Sequence, residues 1–126
     1  EGRRVRKMFG GGMRQAGIIA AAGLVALDEV MPLLADDNRR AHDLAVGLTE
    51  IPTVVLDPDT VETNIVFFSL VEDAPMDAGS LASRLAEEGL LCHPLGGDSI
   101  RMVTHYHIGD ADIERAVEIT KKVLRS

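Results

Sequence analysis

A chain of 126 residues that is 46% hydrophobic and 26% charged is long enough to bury a core of its own, which excludes an intrinsically disordered segment. Its twenty acidic against thirteen basic residues leave a net charge of −7, which argues against nucleic acid as a partner. The single cysteine, Cys92, closes no internal disulfide, the longest uncharged run (residues 15–27) is shorter than a bilayer span, and the charged opening has no secretory-leader pattern; together they read as a cytoplasmic protein without a membrane partner.

Five of the thirteen cations, Arg3, Arg4, Arg6, Lys7 and Arg14, fall in the first fourteen residues, so an acidic protein carries a locally basic edge. Gly10-Gly11-Gly12 follows, and residues 13–34 read as one long, buried helix, alanine-rich and apolar on most sides, with Pro32 bending or ending it. Asp36 and Asp37 open a second, amphipathic helix reaching about Glu50, with Ala41, Leu44, Ala45 and Leu48 on its apolar face. Residues 53–56 form a short strand, and residues 63–70 the best strand in the chain, too apolar at Ile65 to Phe68 to be wetted on one face and therefore central in its sheet. Asp77 caps a helix carrying Leu81 and Leu85, and Gly89 takes the left-handed position after it. Residues 90–94 and 99–104 are two more strands joined by a hairpin at Gly96-Gly97. Asp110 caps a closing helix with Ile113, Ala116, Val117, Thr120 and Leu124 inward. The order ααββαββα predicts an α/β protein of the α+β kind: linking helices over residues 1–50, then a small domain over residues 51–126 whose mainly antiparallel sheet has helices on one face.

Three groups of residues can carry chemistry. Glycines before a helix let backbone N–H groups approach an anion, and Arg14 beside them can fork onto phosphate or carboxylate; a plain turn is the alternative. Arg3 to Lys7 also read as a solvated helix face, and the residues alone do not separate Lys7 from its neighbours. Arg101 is the only charge on its strand and shares a face with Val103 and His105, so it calls for an anionic partner, either a ligand carboxylate or a structural acid such as Asp98 or Asp110. His93, His105 and His107 lack the carboxylate or cysteine spacing that completes a metal site, so no metal is expected. Cys92 reads as a small buried thiol and His42 as a surface residue.

The segment Arg3-Arg4-Val5-Arg6-Lys7-Met8-Phe9-Gly10-Gly11-Gly12-Met13-Arg14-Gln15-Ala16-Gly17 resembles the one that follows the cofactor lysine in the low-specificity L-threonine aldolases, fold type I enzymes of the aspartate-aminotransferase-like kind that use pyridoxal 5′-phosphate. Ile19 to Leu24, Thr63 to Phe68 and Ile100 to His105 agree in order and spacing. The resemblance implies that the chain is the C-terminal part of a lyase cleaving L-threonine, allo-threonine and related β-hydroxy amino acids to glycine and an aldehyde, with the cofactor ring as electron sink. It implies that Arg101 clamps the carboxylate of a small amino-acid substrate. It further implies that Arg14 reaches a cofactor phosphate in a neighbouring subunit of a homo-oligomer, a tetramer or dimer, and that Lys7 lies near the same site. The Schiff-base lysine and the residues gripping the cofactor ring are implied to lie before Glu1, so these 126 residues hold no catalytic residue and are inactive alone. Another fold type I enzyme of glycine or serine metabolism, or a non-catalytic α+β module binding anions or a partner protein, are the alternatives.

Overall fold

The computed structural model describes residues 1–125, which divide into two compact units, Glu1–Pro32 and the residues from Leu33 onward. The first begins with a short basic helix, α1 (Gly2–Met8), whose cations Arg3, Arg4, Arg6 and Lys7 are exposed, as a solvated face requires. A second helix, α2 (Gly17–Val25), starts four residues later than the apolar pattern implies. Residues 11–16 form no helix because the chain first turns at Gly10 (φ +80°) and folds back on α1. A Cβ on Gly11 would lie 2.8 Å from the Arg6 Cγ and one on Gly12 3.1 Å from the Lys7 Cγ. The glycines are therefore needed for this close approach.

Beyond Val25 the helix does not end at Pro32. It changes winding, through a π-helical turn (Ala26–Val30) and a 3₁₀ turn (Met31–Leu33), because proline has no N–H to donate to the preceding turn. The predicted burial of this segment is not met: none of its helical residues is buried, and Ile18 is 84% exposed. A helix apolar on most sides needs partners all round, and the described residues of its own unit do not supply them. The helical run Gly17–Thr49, with mean hydropathy 1.9 in its most apolar window, is also long enough by length and composition to cross a membrane, farther than a reading that stops at Asp28 suggests.

The second unit has a core. Its first helix, α3 (Leu34–Thr49), has Asp36 and Asp37 in the first turn, where the helix dipole favours negative charge. It buries the expected Ala41, Leu44, Ala45 and Leu48. Because that face packs on the sheet and on the last helix, α3 belongs with the sheet, and the compact unit begins at Leu33 and not at residue 51. Strands β1 (Val54–Val55), β2 (Ile65–Leu70), β3 (His93–Gly96) and β4 (Ser99–Val103) pair antiparallel in the order β1-β2-β4-β3, which makes β2 an interior strand.

Helix α4 (Ala78–Glu87) starts at Asp77, whose carboxylate accepts from the Ser80 N–H at 2.7 Å. It ends with Gly89 at φ +84°, where the Gly89 and Leu90 N–H groups donate to the Ala86 and Leu85 carbonyls. That pair of bonds satisfies the last carbonyls of the helix. The closing helix α5 (Asp110–Arg125) departs from its predicted cap. Asp112 accepts from the Gly109 N–H at 2.8 Å, while Asp110 is held by Arg39 and Arg40, both at 2.8 Å. These guanidiniums hold the Asp110 carboxyl below the usual aspartate range.

Helices α3, α4 and α5 cover one face of the sheet, where Val66, Phe68, Leu70, Ile100 and Met102 meet Leu48, Leu81 and Leu85. Full burial of such a side chain contributes about 1.5–3 kcal/mol. The other face is open, with Phe67 54% and Val103 45% exposed. The apolar run of β2 therefore predicts its interior place correctly but overstates its cover within this chain.

Candidate anion-binding residues

Alternation along β2 and β4 determines what stands on the open face. The pairings Ile65 with Val103, Phe67 with Arg101 and Ser69 with Ser99 stack three rungs across the two strands, and β3 adds His93 opposite Arg101. The rungs run from apolar, through Phe67–Arg101–His93, to a pair of hydroxyls, Ser69 and Ser99, 3.1 Å apart. Directly opposed residues share a face, with Cβ atoms about 5 Å apart.

Arg101 is half-buried, and its Nε is buried with no hydrogen-bond partner. No ion pair reaches Arg101 among the described residues, and Asp110, one acid the sequence offered it, is already bound by Arg39 and Arg40. A guanidinium cannot shed its charge by losing a proton, and a buried unpaired donor costs about 1–3 kcal/mol. The arrangement is therefore suited to an external anion, and the planar fork matches a carboxylate.

The end of the Arg101 strand is clamped. The Thr104 N–H donates to the Asn64 carbonyl at 3.0 Å, the Asn64 side-chain amide donates to the Thr104 carbonyl at 2.7 Å, and the buried Thr104 hydroxyl donates to the Asp37 carbonyl of α3 at 2.7 Å. This connection across 40 and 67 residues fixes the backbone three positions beyond Arg101, and sequence reasoning missed it. Its only local trace is a polar Thr104 on the alternation that otherwise points Ile100 and Met102 inward.

Lys7 and Arg14 belong to the first unit and Arg101 to the second. Both are exposed and neither makes an ion pair among the described residues. Lys7 lies along Gly12, whereas the glycines do not open a helix, since Met13 to Ala16 intervene before α2. The helix-terminus cradle expected at Gly10-Gly11-Gly12 is thus replaced by a packed turn.

Of the histidines, His42 is exposed as expected. The His105 and His107 rings meet edge-on at 5.7 Å, and the His105 Nδ1 accepts from the His107 backbone N–H at 3.3 Å. No group of three metal-ligating side chains converges among the described residues. Cys92 is half-buried, and burial pushes its thiol up.

The family model described as beta-eliminating lyase matches residues 1–71. The chain is 39% identical over 124 residues to the probable low-specificity L-threonine aldolase 2 of Arabidopsis thaliana, covering 98% of this chain and 35% of that protein. It is 35% identical over 105 residues to the low specificity L-threonine aldolase of Escherichia coli (strain K12), covering 83% of this chain and 29% of that one. The chain thus spans about a third of the length of the curated relatives it matches. Among solved structures, the cystine C-S lyase C-DES in complex with cysteine persulfide superposes with a TM-score of 0.68 at 22% identity, over 84% of this chain and 28% of that one, which is a likeness of fold.

Proposed function

Since this chain belongs to the beta-eliminating lyase family, whose cofactor is pyridoxal phosphate, we propose that it is the C-terminal part of a threonine aldolase cleaving L-threonine, allo-threonine and related β-hydroxy amino acids to glycine and an aldehyde. The observation that carries this reading within the chain is the unpartnered, buried Nε of Arg101 on an open sheet face. It supports a carboxylate ligand, which every amino-acid substrate brings.

The residues present suit the anionic ends of such a site. Arg101 binds and orients the substrate carboxylate, which fixes rotation about the bond to Cα and so the direction in which the Cα–Cβ bond points. Arg14 and Lys7, cations of the basic edge that make no ion pair among the described residues, hold the cofactor phosphate, with Arg14 reaching into a neighbouring subunit of the oligomer. Bound pyridoxal phosphate supplies the electron sink for the charge left on Cα when Cα–Cβ breaks. None of the three lysines suits the amine that carries the cofactor. Lys121 and Lys122 lie on α5, where Lys122 donates to Glu88 at 2.8 Å, and Lys7 is assigned to the phosphate. The carrier lysine is assigned to the remainder of the protein, together with the cover for the open sheet face and α2.

The test is made on the longer protein that includes this segment. Arg101→Ala is expected to raise KM for L-threonine about 30-fold or more, the scale for removing one partner of a desolvated charge pair, with the thermal midpoint unchanged. Loss of stability in step with KM makes Arg101 structural. A longer protein that develops no visible absorbance band with pyridoxal phosphate ends the assignment.

A further inference from the structure

His93 stands opposite Arg101 on the edge strand β3, on the same open face, eight residues away in sequence across the Gly96-Gly97 hairpin. Its side chain is exposed and, among the described residues, makes no hydrogen bond or ion pair. The middle rung is therefore asymmetric: a hydrocarbon ring at Phe67, a guanidinium in the centre, and an imidazole at His93. No acid stands on the three rungs, since their members are Ile65 and Val103, then Phe67, Arg101 and His93, then Val55, Ser69, Ser99 and Gly96.

We propose that His93 is a second ligand of the substrate carboxylate, donating an N–H to one of the two oxygens that the Arg101 fork grips, and so sets the affinity for the carboxylate end of the substrate. This rests on the reading of Arg101 given above. The geometry supports it in three ways. The two Cβ atoms lie about 5 Å apart across the strand pair, a span from which a five-membered ring and a guanidinium reach the two oxygens of one carboxylate. An imidazole ring nitrogen that carries its proton is an N–H donor of the kind a carboxylate oxygen accepts. Phe67, on the opposite flank, has no donor, so the carboxylate is drawn to the His93 side of the rung.

The experiment uses the longer protein carrying pyridoxal phosphate and compares His93→Phe, His93→Gln and Arg101→Ala, with L-threonine as substrate and glycine as competing ligand. Glycine carries the carboxylate but no β-hydroxyl. His93→Phe is expected to raise KM for L-threonine and Ki for glycine by the same factor, about tenfold for one hydrogen bond to a charged group, with kcat within twofold. His93→Gln, which keeps an N–H donor, is expected to recover most of that loss. Unchanged KM and Ki in His93→Phe overturn the proposal. So does a fall in kcat with Ki for glycine unmoved, which places His93 at the hydroxyl end, or a Gln variant no better than Phe. If Arg101→Ala moves neither KM nor Ki, the carboxylate reading itself fails; if it moves both and His93→Phe moves neither, only the role of His93 is lost.

Discussion

The two units reverse the usual relation between hydropathy and burial. Helix α2 is far more apolar than α3, yet α3 buries Asp37, Ala41, Leu44, Ala45 and Leu48 while α2 buries nothing. What decides is the distribution of the apolar residues. Helix α3 concentrates them on one stripe that the sheet and α5 can cover, whereas α2 spreads them round the cylinder. Apolarity in a sequence thus measures a demand for cover, and this chain meets that demand in the second unit only.

The sharpest way to break this comparison is truncation in each unit. Leu48→Ala, at a fully buried position of α3, is expected to cost about 2–5 kcal/mol, read as a lower urea midpoint. Ile18→Ala on α2 is expected to stay within about 0.5 kcal/mol in the 126-residue chain, and to cost as much as a core truncation in the longer protein if that protein covers α2. A small effect in both settings removes the case for cover.

Packing within the second unit gives a smaller effect. Gly47 lies against α5, and a Cβ there would come 2.6 Å from the Val117 Cγ2. Gly47→Ala is expected to destabilise by about 1–3 kcal/mol despite its better helix propensity, and adding Val117→Ala should recover most of the loss in a double-mutant cycle. Thr104→Val keeps the side-chain shape but removes the hydroxyl bond that ties the strand end to the Asp37 carbonyl of α3, an expected loss of about 0.5–1.5 kcal/mol by thermal unfolding.

The smallest effect belongs to the exposed Asp110 cluster and is best read through pH. The Asp110 carboxyl is lowered by Arg39 and Arg40, so the folded state binds its proton less readily than the unfolded one. Its contribution is present above the unfolded value near 3.9 and is lost as pH falls through the lowered folded value. Asp110→Asn should therefore narrow the stability gap between neutral pH and pH 3, measured by urea unfolding at both.

What the sequence disclosed was what neighbouring residues decide. Both ends of α4 were legible because Asp77 and Gly89 act on the helix they adjoin. Arg101 was legible as a lone charge on an apolar strand, though its flanking Phe67 and His93 depend on pairing register and were not. The start of α5 was misassigned because two acids compete there, and the arginines that claim Asp110 lie 70 and 71 residues away. The α2 boundary was placed too early because the Gly11 and Gly12 turn is set by contact with Arg6 and Lys7, which no apolar pattern records.

The two border strands of the sheet carry a consequence for self-association. One border is β1, only two residues long, and the other is β3, where Pro94 lacks a ladder N–H and the register shifts between Pro94 and Gly96. Neither border offers a straight row of free backbone groups on which another strand can extend the sheet. Any self-association of the isolated chain therefore starts at its uncovered apolar side chains, Phe67, those along α2, Phe9 and Leu91. A soluble version is to be sought by making those surfaces polar, leaving the strand borders as they are.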